Sequence, residues 1–212
     1  MRLVLASNNA KKLAELRALL TGVAVDLVPQ GNLGIPEADE PFHTFIENAL
    51  VKARQAALAS GGAALADDSG VCVDALGGAP GVVSANYAAI DPVQQEREAD
   101  RETRRRIQDA ANNAQLLARL QGVSDRRAHF VSTLVAVRHA QDPQPLVAVG
   151  RWPGEILAAP RGDQGFGYDP LMFIPELGRT VAELDAATKN AHSHRARAAA
   201  QMLGLLRGVW AL

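Results

Sequence analysis

Four clusters of residues in the 212-residue chain have the types and spacing to do chemistry. The first, Ser7-Asn8-Asn9-Ala10-Lys11-Lys12, sets a polar turn against two lysines at the start of a helical pattern. Helix N-terminal N–H groups favour anions, and an added ammonium would hold a phosphate chain. Lysines are unfavourable at that end unless an anion offsets them, although a solvated lysine face fits the string equally well. The second cluster is acidic. Glu37, Asp39 and Glu40 crowd one loop, and Asp67-Asp68-Ser69-Gly70 stands between two apolar runs, where it predicts a turn. Adjacent carboxylates raise one another's pKa unless a cation intervenes. A hard divalent ion such as Mg2+ would relieve this, taking one or two carboxylates plus phosphates; a turn with two solvated acids is the alternative. Lys52, just after FIENA, is placed to point at the acidic loop. The third cluster is GFGYDP (165–170), where two glycines permit close backbone approach and Phe166 or Tyr168 would stack on a planar base or fill the core. The fourth, TKNAHSHRARA (188–198), gathers Lys189, His192, His194 and Arg195 near the start of the last helix, where cations suggest recognition of an anion or carbonyl. His192 and His194 are two apart, which makes no chelating face on a helix, so a zinc site is not expected.

These clusters need elements to hold them. RLVLA (2–6) predicts a buried strand, and Leu13, Leu16, Leu19 and Leu20 recur at helical spacing behind the Ser7–Asn9 turn, which supplies N-cap types. Residues 24–28 predict a second strand and 29–43 a loop. Thr44 and Glu47 form a capping box for a helix over 44–60, ended by Ser60-Gly61-Gly62. Residues 93–120, rich in Arg and Glu, predict a largely solvent-facing helix that includes the arginine run 101–106. Residues 128–137 and 146–152 predict paired strands, 162–170 a loop, and 190–207 one final helix. Strands mixed with helices imply an α/β fold with a mixed central sheet flanked by helices.

Composition excludes several classes. Twenty-two Lys and Arg against 23 Asp and Glu give a net charge of −1, which argues against a nucleic-acid polymer as partner. Apolar residues at 48% support a real core in a single domain over 1–212. Cys72, the one cysteine, can form no internal disulfide and reads as a buried strand filler, so a reducing, cytoplasmic setting is expected. No stretch reaches the ~20 apolar residues of a membrane span.

The strings SNNAKKLAEL, TFIENALVKA, ADDSGVCVDALGGAPGVVSANYA, GFGYDP and KNAHSHRARA, in this order and spacing, resemble those of the noncanonical purine nucleoside triphosphate pyrophosphatases, the inosine triphosphate or dITP/XTP pyrophosphatase family. The resemblance covers nearly the whole chain. It implies two lobes with an active-site cleft between them, a homodimer, and Mg2+-dependent hydrolysis of ITP, dITP or XTP to the monophosphate and pyrophosphate. By this resemblance Ser7 to Lys12 are the triphosphate loop, with Lys12 and Lys52 facing phosphate. Asp68 is the proton acceptor and a metal-linked acid, Glu40 and Asp39 help hold the metal, and Ser69 contacts substrate. Phe166, Gly167, Tyr168 and Asp169 form the base loop, and Lys189, His194 and Arg195 read the purine 6-oxo group and hold the nucleotide. The chain has Asn8 where many relatives have glycine and Asn86 where they have arginine. A same-fold pyrophosphatase for modified pyrimidine or methylated nucleotides, or a nucleotide-binding module without hydrolysis, are the alternatives. The latter would need neither Asp68 nor the acidic loop.

Overall fold

Leu3, Val4 and Leu5 are all buried in β1 (Arg2–Leu5), as a short unbroken apolar run requires of a strand covered on both faces. The computed structural model describes residues 1–90 and 100–212. After β1 come α1 (Ala10–Leu19), β2 (Asp26–Pro29), α2 (Phe45–Ser60) and β3 (Ala64–Val73). Then follow α3 (Arg101–Arg119), β4 (Arg127–Val137), β5 (Leu146–Ile156), β6 (Met172–Ile174), β7 (Arg179–Thr180), α4 (Ala186–His192) and α5 (His194–Trp210). Among the described residues seven strands form one sheet in the order β2-β1-β3-β4-β5-β6-β7. β1 runs parallel to β2 and β3, whereas β6 is antiparallel to β5 and β7, so the sheet is mixed as expected.

The chain divides into two units. The first comprises Met1–Ser69, Val131–Arg151 and Asn190–Leu212. Here strand alternation sorts the core. Leu3, Leu5, Leu65 and Leu134 pack with Leu16 of α1 and Met202 of α5. Their neighbours Val4, Ala64, Ala66 and Val135 pack with Ala49, Ala53 and Ala56 of α2. A period of two thus places helices on both faces of the same strands. The second unit, Gly70–Phe130 and Trp152–Lys189, has its own core around Leu116, Trp152, Ile156, Tyr168, Leu171 and Met172.

In the first unit α5 is fastened to the β5 backbone. Gln201 accepts from Val149 N–H at 3.1 Å and donates to its carbonyl at 2.8 Å, and Arg197 donates to the Arg151 carbonyl at 2.8 Å. Gly150 lies at the contact, where an added Cβ would meet the His194 carbonyl and sit 2.5 Å from Ala198 N. Neither backbone atom can swing aside. Gly150→Ala is therefore expected to destabilise the fold by about 1–3 kcal/mol, read as a lower urea midpoint. A midpoint matching the parent protein would show that α5 has room to withdraw.

Several expectations change. Asp67-Asp68-Ser69-Gly70 is no turn but the middle of the continuous strand β3. The final helix is two, α4 and α5, separated by Ser193, whose hydroxyl accepts from Ala196 N–H at 3.1 Å and caps α5. α3, expected to be largely solvent-facing, also has a buried side with Gln108, Asn112 and Leu116; the part of the helix expected over 93–99 lies outside the described residues. Cys72 is in a strand as expected, but half-buried. No described helix is long and apolar enough to cross a membrane.

Candidate active site

Asp67 and Asp68 are neighbours in β3, and their carboxylates have different partners. The Asp67 side chain is fully buried. It accepts Ser132 Oγ at 2.7 Å, Arg195 Nε and Nη2 at 3.2 and 3.1 Å, and Ser69 Oγ at 3.3 Å, and Lys12 Nζ lies 3.1 Å away. Burial opposes its charge, but the Arg195 guanidinium and the Lys12 ammonium overcome that and hold its carboxyl far below the usual range. Arg195 also donates to Glu15 Oε2 and, at 3.1 Å, to Ser69 Oγ.

Asp68 accepts Lys52 Nζ at 3.1 Å on Oδ1. Its Oδ2 is buried with no hydrogen-bond partner among the described residues. Burial pushes its carboxyl up, Lys52 pulls it back, and Glu40 adds to the rise. The three N–H groups of the Lys52 ammonium match three acceptors: Glu40 Oε1 at 2.7 Å, the Asp67 carbonyl at 3.1 Å and Asp68 Oδ1. Burial disfavours the charge on Lys52, yet Asp68 and Glu40 raise its pKa overall. Lys12 goes the other way. Burial, with Arg195 and Lys52 nearby, lowers its pKa more than Asp67 raises it.

The turn before α1 closes on itself. Asn9 is the N-cap, its Oδ1 accepting from Lys11 and Lys12 N–H at 3.1 and 3.3 Å, and Ser7 Oγ accepts from Asn9 N–H at 3.2 Å. Asn9 Nδ2 is buried without a partner among the described residues. Asn8 donates to Glu37 Oε1 at 3.1 Å. Ala10 is exposed and begins α1. Thus α1, α2 and β3 place Lys12, Lys52, Asp68 and an unsatisfied donor in one unit, together with Glu40 from the acidic loop.

In the second unit the loop 165–169 is built around Asp169, whose Oδ2 accepts from Phe166 N–H at 3.0 Å and from Lys189 Nζ at 2.9 Å. The Lys189 ammonium also sits 4.8 Å from the centroid of the Phe166 ring. Gly165 and Gly167 have φ of +80° and +61°, the left-handed region that suits glycine.

A model of the Ham1 family matches residues 3–205 of this chain. The chain belongs to the Ham1 family. Two curated relatives, each called a dITP/XTP pyrophosphatase, match almost end to end. That of Methylibium petroleiphilum is 67% identical over 99% of this chain and 99% of its own length. That of Leptothrix cholodnii is 65% identical over 100% of both. A solved HAM1 protein from Coxiella burnetii superposes with a TM-score of 0.84 at 41% identity, covering 97% of this chain and 98% of that one. The motif reading and the family therefore agree.

Within this Ham1 chain three of the expected site residues have protein partners that the sequence did not announce. Arg195 sits in the buried ion-pair group of Asp67 and Glu15, because a guanidinium buried at a helix start needs carboxylates. His194 is buried beside it in sequence. Lys52, expected to face phosphate, donates to the Asp68 and Glu40 carboxylates and to the Asp67 carbonyl. Tyr168 is core, its hydroxyl donating to the Ser84 carbonyl at 2.9 Å. Asp39 stays exposed on its loop. Glu15 and Ser132 belong to the site and were not singled out in the sequence. The (i, i+3) spacing of Lys12 and Glu15 on α1 was the one local signal for the first.

Proposed function

We propose that this chain hydrolyses noncanonical purine nucleoside triphosphates (ITP, dITP and XTP) to the monophosphate and pyrophosphate. Two near full-length relatives called dITP/XTP pyrophosphatases support the substrate class. The observation that carries the chemistry is Asp68, with one carboxylate oxygen fixed by Lys52 and the other buried and unpartnered among the described residues.

Asp68 Oδ2 orients a water and takes its proton for attack on the α-phosphorus. A carboxyl pushed up by burial is a better base than an ordinary aspartate. Lys12 lies in the first turn of α1 and meets charge moving onto the pyrophosphate, and Asn9 Nδ2 offers a donor to the same polyphosphate. The chemistry is positioning and electrostatics, which is how phosphoryl transfer is mostly catalysed.

The site also suits a divalent cation. Among the described residues no three His, Cys, Asp or Glu side chains form a ready cage, yet Asp68 and Glu40 share a lysine and Asp68 Oδ2 is unsatisfied. Mg2+ prefers one or two carboxylates with phosphate oxygens, so Asp68 and Glu40 would hold it, with Asp39 nearby in sequence. When bound it supplies positive charge that screens the polyphosphate.

Phe166 stacks on the base, and Lys189 sets a cation beside that ring. A purine 6-carbonyl accepts from such a donor, whereas the adenine 6-amino group would leave it unpaired, a mismatch that costs up to about 10⁴-fold in sites built this way. Guanine also carries a 6-oxo group, so its exclusion involves the 2-amino group. A homodimer belongs to the same reading and is checked by mass in solution.

Pyrophosphate release over ITP, XTP, dITP, GTP, ATP and dUTP, with and without EDTA, tests all of this. Turnover of the first three, abolished by EDTA, is expected. Equal rates on ATP, or none on ITP, would overturn the substrate assignment.

A further inference from the structure

The α3 helix was left without a role by its sequence, yet its buried stripe carries Gln108 and Asn112 ahead of Leu116. Gln108 donates to the Ala88 carbonyl at 2.9 Å. Asn112 donates to the Ser84 and Ala85 carbonyls at 3.2 and 3.0 Å and accepts from Ala88 N–H at 2.9 Å. One residue further on in each case, Asp109 and Asn113 address a second segment. Asp109 Oδ2 accepts from Gly167 N–H at 2.8 Å, and Asn113 Nδ2 donates to the Gly167 carbonyl at 2.9 Å. Spacing of four puts both side chains on one face of the helix, so they grip one residue at its N–H and its C=O.

Gly167 follows Phe166 directly and holds φ at +61°. Fixing both of its polar groups fixes the peptide planes on either side, and the first of these planes carries Phe166. On the other side Asp169 takes Phe166 N–H and Lys189 covers the ring. The ring is therefore positioned from two directions, by the loop itself and by α3. The Tyr168 hydroxyl donates to the Ser84 carbonyl, which Asn112 also holds, so the same stripe secures the core side of the loop.

We propose that Asp109 and Asn113 are positioning residues for base recognition, holding Gly167 so that the Phe166 ring meets the purine face. This rests on the assignment of the 165–169 loop to the base. It predicts a defect confined to the nucleoside end of the substrate, because neither residue belongs to the unit that holds Lys12 and Asp68.

The test compares Asp109→Ala, Asp109→Asn and Asn113→Ala with the parent protein in steady-state ITP hydrolysis, ITP binding by calorimetry, inhibition by inorganic tripolyphosphate as a base-free probe, and thermal melting. Asp109→Ala and Asn113→Ala are each expected to raise KM and Kd for ITP about tenfold, the size of one strong hydrogen bond carried into affinity. Their kcat and tripolyphosphate inhibition constant should stay within about twofold of the parent, as expected when binding to one end of a substrate is lost uniformly. Asp109→Asn keeps an acceptor oxygen for Gly167 N–H and should restore the parent KM. An unchanged KM in Asp109→Ala overturns the proposal, and so does an inhibition constant that rises with KM or an Asp109→Asn as defective as the alanine. If the parent protein neither hydrolyses nor binds ITP, the substrate assignment falls and this inference with it. A parent active on ITP with all three variants unaffected removes the α3 role alone.

Discussion

Asp68→Asn is expected to lower ITP turnover by about 10²- to 10⁴-fold, the usual worth of a positioned general base, with no loss of folding. Both halves follow from the same geometry. The amide can still accept Lys52 Nζ on one side, but it places an NH2 or an uncharged oxygen where Oδ2 has no partner among the described residues. Neither takes a proton from water. Lys52 keeps Glu40 and the Asp67 carbonyl, so its ammonium is not stranded. The pKa of Asp68 is raised, chiefly by burial, so folding disfavours its charged form. Removing that charge costs no stability, and the melting temperature should match the parent or exceed it. The raised pKa also sets the acid limb of the rate profile above 3.8, with activity falling as pH drops through it. Turnover within tenfold of the parent would remove Asp68 from the reaction.

Local signals carried the outline of the fold. The leucines after Ser7-Asn8-Asn9 form α1 with Asn9 as cap, and Thr44, Glu47 and Gly61 bound α2 as their types demand. The mixed sheet followed from the alternation of elements. Legibility failed where distant residues outvote local preference. Two aspartates in a row disfavour a strand, and the string read as a turn. β3 stays extended because Asp67 and Asp68 find cations supplied by α1, α2 and α5. Arg195 and Asp67 are 128 residues apart, and no pattern within one window links them. The same distance hid the protein partners of Arg195, whose guanidinium pairs with two carboxylates of the chain. The Ser193 cap was legible in principle, since a serine three residues before an apolar run is an N-cap pattern. Asp109 and Asn113 were not, because an arginine-rich segment drew the reading to its solvent face.

Asp67→Ala should be the most destabilising single change in the first unit. It would leave a buried Arg195 and a half-buried Lys12 beside an empty space. Arg195 cannot shed its proton and, among the described residues, would keep Glu15 alone as a carboxylate partner. Removing one member of a buried ion pair costs about 3–5 kcal/mol because the survivor is uncompensated. For a chain of this size each kcal/mol moves the midpoint by about 2–4 °C, so a fall of roughly 6–20 °C is expected in thermal melting. Acid checks the electrostatic origin. Folding depresses the pKa of Asp67, so its contribution is complete above the ordinary value of 3.8 and drains away as pH falls below it. The gap between parent and variant should therefore narrow below about pH 4. Asp67→Asn preserves shape and acceptor but not charge, and should fall between the two. Its neighbour behaves oppositely, since Asp68→Asn spares the fold and stops the reaction. Adjacent positions on one strand point to opposite faces, so one carboxylate neutralises Arg195 and Lys12 while the next keeps an oxygen without a partner among the described residues. A melting temperature for Asp67→Ala within 2 °C of the parent, smaller than the shift of ~1 kcal/mol, would show that Lys12 and Arg195 do not depend on it.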